Sequence, residues 1–229
     1  MQMSLGLGAA EDIRWVRDRL LAHFGDTGPI LLRSPIGQLV KSSISSRTLD
    51  AVSLRAYDRL VAAYPRWSDI AAADTAAIEA VIADVTFAEV KAPSLRGALR
   101  AVAADRPDFD LTFLRGHGVP RALAWLERLP GVGRKVSAST LNFSWLGMPA
   151  LVIDTHVLRV LRRYGFVRAA ADTRAAYDRM MPVLHDFSAA GLAELHLLLK
   201  HLGQTLCRAD HACCGACPLG RRCRASAPR

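Results

Sequence analysis

The stretch LPGVGRK, residues 129–135, places two glycines between two segments with helical periodicity. Gly131 and Gly133 permit backbone conformations with positive φ and put no side chain in the way of a close neighbour. The first N–H groups of the following helix have no partner inside that helix, so they can bind an anion. The stretch therefore predicts either a helix–turn–helix that holds a phosphate with its backbone, or an ordinary helical hairpin with glycine in its connection.

Helical patterns dominate the rest of the chain. Alanine and leucine are abundant, aromatic residues make up 7% of the 229 residues, and runs of Val, Ile and Thr typical of strands are rare. We predict an all-α fold, with Asp50 as the N-cap of one helix and a turn at VTFAEVKAP, residues 85–93. The predicted helices are residues 10–24, 35–46, 50–63, 75–84, 94–105, 120–129, 134–146, 155–163, 173–187 and 189–203.

The charge balance favours a polyanionic partner. The formal net charge is +9, which makes nucleic acid the first expectation and an anionic membrane surface the second. No apolar run approaches the ~18 residues of a membrane span. The N-terminus carries Glu11 and Asp12 and lacks the basic start of a signal peptide. We therefore expect an intracellular, cytoplasmic and nucleoid-associated monomer with no membrane partner.

All five cysteines lie within CRADHACCGACPLGRRC, residues 207–223. Such crowding in an intracellular protein indicates a metal site rather than disulfides. Cys207, Cys214, Cys217 and Cys223 give the spacing C-x6-C-x2-C-x5-C. Four thiolates suit either an iron–sulfur cubane or zinc, so the ligand chemistry alone leaves both open.

Several of these motifs together resemble the helix-hairpin-helix DNA glycosylases of base excision repair, and the endonuclease III branch in particular. LPGVGRK is similar to the hairpin of that superfamily, and WLGMPALVID, ending at Asp154, to the Gly/Pro-rich loop and aspartate that follow it. SPIGQLV, the KAP stretch at Lys91 and Leu141-Asn142 also have counterparts there. The resemblance covers the chain from about residue 30 to the C-terminus.

The resemblance implies a two-lobed helix-hairpin-helix glycosylase fold, with one lobe at residues 28–148 and the other at 1–27 plus 149–229. Duplex DNA is expected across the cleft between the lobes. The cysteine spacing matches the pattern of the family's [4Fe-4S] cluster, and the pattern is lost when Cys213 replaces Cys214, so Cys213 is expected to be a non-ligand. Arg221 and Arg222 in the cluster loop are expected to contact DNA phosphates, or only to remain solvated beside the cluster.

The resemblance assigns catalysis to Lys135 and Asp154. In this family the lysine displaces the base and forms a Schiff base, which permits β-elimination of the 3′ phosphate. The aspartate activates the lysine or stabilises positive charge that develops on the sugar. Two plainer alternatives stand beside these roles, since Lys135 could contact a phosphate only and Asp154 could simply cap a helix.

The DNA-contacting residues include one departure from the family. The stretch ISSRTLD has Arg47 where glutamine is expected to fill the gap left by a flipped base, and arginine can donate but not accept hydrogen bonds. Phe87 is expected to be a second wedge, with a core phenylalanine as the alternative. The residues predicted to bind DNA are Arg47, Phe87, Lys91, Gly131, Gly133, Arg134, Arg221 and Arg222.

The predicted function is therefore that of a bifunctional DNA glycosylase and abasic-site lyase acting on oxidised pyrimidines. A monofunctional mismatch glycosylase is disfavoured by Lys135 and by the lack of a suitable glutamate at residues 35–50. A protein that binds abasic or damaged DNA with weak or no activity stays open because of Arg47. A zinc-stabilised interaction module is the remaining alternative.

Overall fold

The structure is a computed structural model that describes residues 7–226, apart from the side chains of Leu7 and Arg221. In this part of the chain all the regular elements are helices, and the only β-structure is two isolated β-bridges. The all-α prediction is confirmed. The α-helices are α1 (Leu7–Phe24), α2 (Pro35–Ser45), α3 (Asp50–Ala63), α4 (Trp67–Ala72), α5 (Thr75–Val81), α6 (Ala88–Asp105), α7 (Gly118–Leu126), α8 (Arg134–Asn142), α9 (Thr155–Tyr164), α10 (Thr173–Met180) and α11 (Ala189–Thr205). Short 3-10 helices cover Thr112–His117, Met181–Leu184, Cys214–Ala216 and Gly220–Arg222.

The chain forms two compact units. One is Leu31–Met148, which contains α2 to α8, and the other joins Met1–Ile30 to Pro149–Arg229 and contains α1, α9, α10 and α11. The two lobes expected from the sequence have their boundaries after residues 27 and 148, and the two units of the structure have theirs after residues 30 and 148.

Helix α2 is the central element of the first unit. Ser34 caps its start by accepting from the Gly37 N–H at 3.2 Å, and Pro35 occupies the first turn, where its missing N–H costs nothing. Leu39, Val40 and Ile44 are buried, and the helix packs against α3, α6 and α8. The C-terminal turn of α2 is thereby fixed in the middle of the unit.

The second unit is built on the crossing of α9 and α11. At Gly203 a Cβ atom would lie 2.9 Å from the Cβ of His156 and 3.0 Å from its carbonyl oxygen, so the two helices meet there at backbone distance. The apolar face of α1, formed by Ile13, Val16 and Leu20, is buried, and α1 packs against α11.

Two local predictions are wrong, and one helix is missed. Helix α6 begins at Ala88, so most of the predicted turn at residues 85–93 is helical, with Pro93 inside the helix. Proline removes a single helical hydrogen bond near the start of α6, and burial of Leu95, Leu99 and Val102 outweighs that loss. Asp50 is the first residue of α3 rather than its cap, and α4 was not predicted at all.

Candidate active site

The predicted hairpin is formed by α7, the Pro-Gly-Val-Gly turn and α8. Gly131 has φ 72°, and a Cβ built there would lie 2.7 Å from the Cβ of Ser94, so this position needs glycine both for its conformation and for space. Gly133 is the N-cap of α8, is exposed and has no atom within 4 Å of an ideal Cβ. The start of α8 is thus open to an approaching backbone, as an anion site requires.

Arg134 braces this turn from within. Its Nε donates to Glu127, both side chains are only 11% exposed, and Ser137 Oγ donates to the same carboxylate at 3.2 Å. Such a placement does not suit a phosphate contact by the Arg134 guanidinium, because that group neutralises a nearly buried carboxylate. Any contact of Arg134 with DNA is left to its backbone.

Lys135 is the second residue of α8 and is half-buried. Its Nζ donates to the carbonyl oxygen of Ser42 at 3.3 Å, in the last turn of α2. A buried polar cluster lies where α2 meets α8: Gln38 Nε2 donates to Ser42 Oγ and Ser139 Oγ, both at 3.0 Å. Sequence reasoning missed this cluster, although the spacing of Gln38 and Ser42 places them on one face of a helix.

Lys91 lies in the interior rather than on a DNA-binding surface. It is 9% exposed, and its Nζ donates to Ile44 O at 3.0 Å, Ser46 O at 2.6 Å and Thr48 Oγ1 at 3.2 Å. These three acceptors use all the protons of the ammonium, which speaks against the predicted phosphate contact. Burial first, and then the charge of Lys135, lower the pKa of Lys91 to about 8, so it remains mainly protonated at neutral pH.

Arg47 and Phe87 form an exposed pair. Arg47 lies between Ser46 and Thr48, which both accept hydrogen bonds from Lys91. Arg47 and Phe87 both have left-handed backbones, with φ 55° and 61°, which is uncommon for residues with side chains. The Arg47 guanidinium lies 5.8 Å from the centre of the Phe87 ring, and Phe87 is 47% exposed. The alternative that Phe87 is a core residue is therefore wrong.

Asp154 is the N-cap of α9. Its Oδ1 accepts from the Val157 N–H at 2.9 Å, so the capping alternative is correct, and a cap can still act as a charge. Burial pushes the pKa of Asp154 up, but the charge of His196, the Val157 hydrogen bond and the charges of Lys200 and His156 together hold it below its usual value. Buried His196 is oriented by donating from Nδ1 to the carbonyl of Val152 at 2.8 Å.

All five thiols of the cysteine segment are half-buried. Burial is the main cause that raises the pKa of the Cys217 and Cys223 thiols, and nearby backbone N–H groups lower it. The charges of other thiols raise it further. These thiols are Cys207 and Cys214 for Cys217, and Cys217 and Cys207 for Cys223. The Asp210 carboxylate first, and to a smaller extent the charge of Cys213, raise the pKa of Arg208. In the described part of the chain, no three His, Cys, Asp or Glu side chains are arranged as a metal-ion site.

The basic residues of this segment are only partly described. Arg222 is exposed, its guanidinium lies 4.4 Å from the centre of the Trp15 ring, and its Nη1 is 4.0 Å from a carboxylate oxygen of Asp12. The side chain of Arg221 lies outside the described residues. Arg163 donates from Nη1 to Cys207 Sγ at 3.4 Å.

The family model for HhH-GPD superfamily base excision DNA repair proteins matches residues 40–184, which include the hairpin, Lys135 and Asp154. The chain belongs to this superfamily. Endonuclease III of Synechocystis sp. is 28% identical over 203 residues, covering 87% of this chain and 85% of the relative. Endonuclease III of Bacillus subtilis is 28% identical over 194 residues, covering 83% and 81%.

A candidate DNA glycosylase of Arabidopsis thaliana is 31% identical over 144 residues, or 63% of this chain, which spans about half (49%) of that relative. Among solved structures, a trapped endonuclease III–DNA covalent intermediate has a TM-score of 0.78 and 26% identity, covering 95% of this chain and 96% of the other. The prediction of an endonuclease III-like base excision repair enzyme with the helix-hairpin-helix glycosylase fold is confirmed. No helix in residues 7–226 combines the length and apolar character needed to cross a bilayer.

Proposed function

We propose that this superfamily member is a bifunctional DNA glycosylase and abasic-site lyase in which Lys135 is the nucleophile. The observation that carries the proposal is the position of Lys135, half-buried at the start of α8 directly after the glycine turn. A helix N-terminus and partial burial both favour the neutral amine, which can attack a sugar carbon. The likeness to a trapped endonuclease III–DNA intermediate supports the same role.

The reaction follows from that amine. Nζ of Lys135 bonds to C1′ of the sugar while the C1′–base bond breaks, and the departing base takes the electron pair and a proton. The C1′–O4′ bond then breaks while Nζ forms a double bond to C1′, and O4′ takes the remaining amine proton, which leaves an imine and an opened ring. Removal of a proton from C2′ then expels the 3′ phosphate, and water hydrolyses the imine to restore the amine. Asp154, whose pKa is below its usual value, stays ionised at neutral pH and stabilises positive charge on the sugar.

The proposed partner is double-stranded DNA with a damaged base or an abasic site. The turn that contains Gly131 and Gly133 is open at Gly133 and offers backbone N–H groups to a phosphate. Phe87 and Arg47, held with left-handed backbones, are suited to fill the space left by a flipped base. We assign contacts with the phosphate backbone of DNA to the loop that contains Arg221 and Arg222. A net charge of +9 favours all of these contacts with DNA.

We also propose that Cys207, Cys214, Cys217 and Cys223 hold a [4Fe-4S] cluster. The donor set fits, because four thiolates at the spacing C-x6-C-x2-C-x5-C suit a cubane cluster, and because backbone N–H groups and Arg163 supply hydrogen bonds to sulfur. The cluster would supply a rigid anchor for the loop that carries Arg221 and Arg222. No step of the base-excision chemistry passes through it.

Oxidised pyrimidines are the proposed damaged bases, in line with the resemblance to endonuclease III. Arg47 favours a second candidate in which abasic sites are the main substrate. Its guanidinium only donates, so it cannot reproduce the two-way hydrogen bonding of the expected glutamine with the unpaired base.

Borohydride trapping on a duplex with one abasic site tests the proposal. We expect a covalent adduct with the wild-type protein and none with Lys135→Ala. Lys41→Ala is the matched control, because Lys41 lies on α2 next to Ser42, the acceptor of Lys135, and donates to Ser45 and Ser53 instead. The Lys41→Ala protein should still be trapped. A folded, DNA-binding wild type that gives no adduct would refute the lyase and favour the binding protein.

A further inference from the structure

Three of the four lysines in this chain meet at one helix end. The sequence has lysine only at positions 41, 91, 135 and 200, although 30 residues are Lys or Arg. Lys91 donates to the Ile44 and Ser46 carbonyls, Lys135 to the Ser42 carbonyl, and Lys41 to Ser45 Oγ. The last carbonyls of a helix lack helical partners and carry negative partial charge, so this turn is an electrostatic site for cations.

Lys91 fits this site as an ammonium at neutral pH. All three of its protons have acceptors within 3.2 Å, two of them carbonyl oxygens that can only accept. It comes from α6, a different helix from the one that carries Lys135, and its side chain is nearly closed off from solvent. The acceptors of the two lysines, Ser42 O and Ile44 O, are two residues apart on α2.

We propose that Lys91 is a positioning residue for Lys135: it occupies the negative end of α2 as a fixed ammonium and thereby favours the neutral, nucleophilic amine at Lys135. This inference rests on the proposed function and deepens it. If Lys91 lost its charge, the carbonyls of α2 would favour the ammonium form of Lys135 more strongly. A lysine beside a second cation is an established way to obtain a nucleophilic amine.

The other charges near Lys135 do not replace this effect. On α8, Arg134 is neutralised by Glu127, and on α6, Glu89 raises the pKa of Lys91 and so keeps it charged. Lys41 adds a further positive charge on α2. Asp154, which the proposed function pairs with Lys135, is unchanged in every variant below.

Charge coupling between two groups is mutual. The charge of Lys135 is one cause of the lowered pKa of Lys91, after burial. Lys91 must therefore lower the pKa of Lys135 by an equal amount. Two like charges in one partly buried cluster typically shift each other's pKa by about one pH unit.

Lysine-labelled protein tests the coupling directly, because four lysines give four side-chain NMR signals. In Lys91→Gln, which keeps an N–H donor but removes the charge, the titration midpoint of Lys135 should rise by about one pH unit. Thr48→Val is the matched control: it removes one contact of Lys91 without removing charge, and should leave the Lys135 midpoint in place. An unchanged Lys135 midpoint in Lys91→Gln would overturn the proposal.

The reciprocal variant keeps the proposal testable if Lys91→Gln does not fold. In Lys135→Ala the Lys91 midpoint should rise from about 8. A Lys91 midpoint that stays where it is in the wild type would overturn the coupling. This measurement needs no substrate.

Trapping rates connect the coupling to chemistry. At saturating abasic duplex, Lys91→Gln should form the imine about tenfold more slowly than wild type at pH 7 and recover at high pH. A rate lowered equally at every pH would show a merely structural role for Lys91. If the wild type gives no adduct at any pH, the proposed function fails, whereas the NMR midpoints still decide whether the two lysines are coupled.

Discussion

Arg134 donates to the carboxylate of Glu127 across the turn that joins α7 to α8, and each side chain is 11% exposed. The pair links the two helices of the hairpin independently of the glycines. Its low exposure makes it unlike the other arginine–carboxylate pairs on the surface, such as Arg128 with Asp105.

Glu127→Gln should therefore lower the free energy of unfolding by about 2–3 kcal/mol, because it leaves a nearly buried guanidinium without its counter-charge. Asp105→Asn removes the partner of exposed Arg128 and should have an effect below about 0.5 kcal/mol. Urea unfolding of both variants measures the difference. Equal effects would mean that the hairpin does not depend on the pair.

The two glycines of the turn should respond differently to alanine. Gly131→Ala introduces a Cβ at φ 72° and 2.7 Å from Ser94, and should lower the free energy of unfolding by about 2 kcal/mol. Gly133→Ala meets open space and should change stability by less than about 1 kcal/mol while weakening DNA binding. A Gly133→Ala protein that binds DNA as well as wild type would contradict the proposed phosphate contact.

Asp154 should contribute stability that depends on pH. Because its pKa is lowered in the folded state, the contribution is complete above the unfolded pKa of about 3.9 and disappears as pH falls through the lower, folded value. The difference in unfolding free energy between wild type and Asp154→Asn should thus be constant from pH 7 to pH 5 and shrink toward pH 3. A difference that is the same at all these pH values would show that the carboxylate charge is not involved.

The cysteines should separate into ligands and one non-ligand. Cys213→Ser should keep the brown colour and iron content of the purified protein, whereas Cys214→Ser, one residue away, should lose both. This contrast follows because Cys214 belongs to the C-x6-C-x2-C-x5-C spacing of the proposed ligands and Cys213 does not. Zinc in place of iron, or equal losses in both variants, would refute the assignment.

Phe87 should matter for damaged DNA but not for folding. Phe87→Ala should leave the unfolding free energy close to wild type, since the ring is 47% exposed, and weaken binding to a duplex with an abasic-site analogue by about tenfold through lost stacking. Val90→Ala, at a 59% exposed position in the first turn of α6, the helix for which Phe87 is the N-cap, is the control and should bind normally. Binding by fluorescence anisotropy at fixed salt distinguishes them.

Local sequence patterns are sufficient to predict the bounds of a helix that has both regular apolar spacing and clear signals at its ends. Helix α3 was predicted at its observed bounds because its apolar spacing is regular and Pro65 follows it. Helix α6 was predicted six residues too short at its start, since Lys-Ala-Pro suggests a break and only burial of the following apolar residues carries the helix through Pro93.

The polar contacts of the site needed the tertiary structure. Nothing in the sequence near Lys91 indicates that it donates to Ser46, 45 residues away, or that Lys135 contacts the carbonyl of Ser42. Motif resemblance could name Lys135 and Asp154 as candidates, because their spacing is local to the hairpin and the loop after it, and their catalytic roles stay a prediction. It could not distinguish an interior Lys91 or a braced Arg134 from surface cations, since both look alike in a basic chain.

The backbone contact at Gly203 has a consequence for redesign. Helix α9 begins just after Asp154, and it meets α11 where no side chain fits. Any residue larger than glycine at position 203 of α11 would push α9 and α11 apart and would shift the carboxylate of Asp154 with α9. An engineer who wished to shift Asp154 by a fraction of an ångström could therefore leave its whole loop untouched and edit a residue that is 49 positions later in the chain.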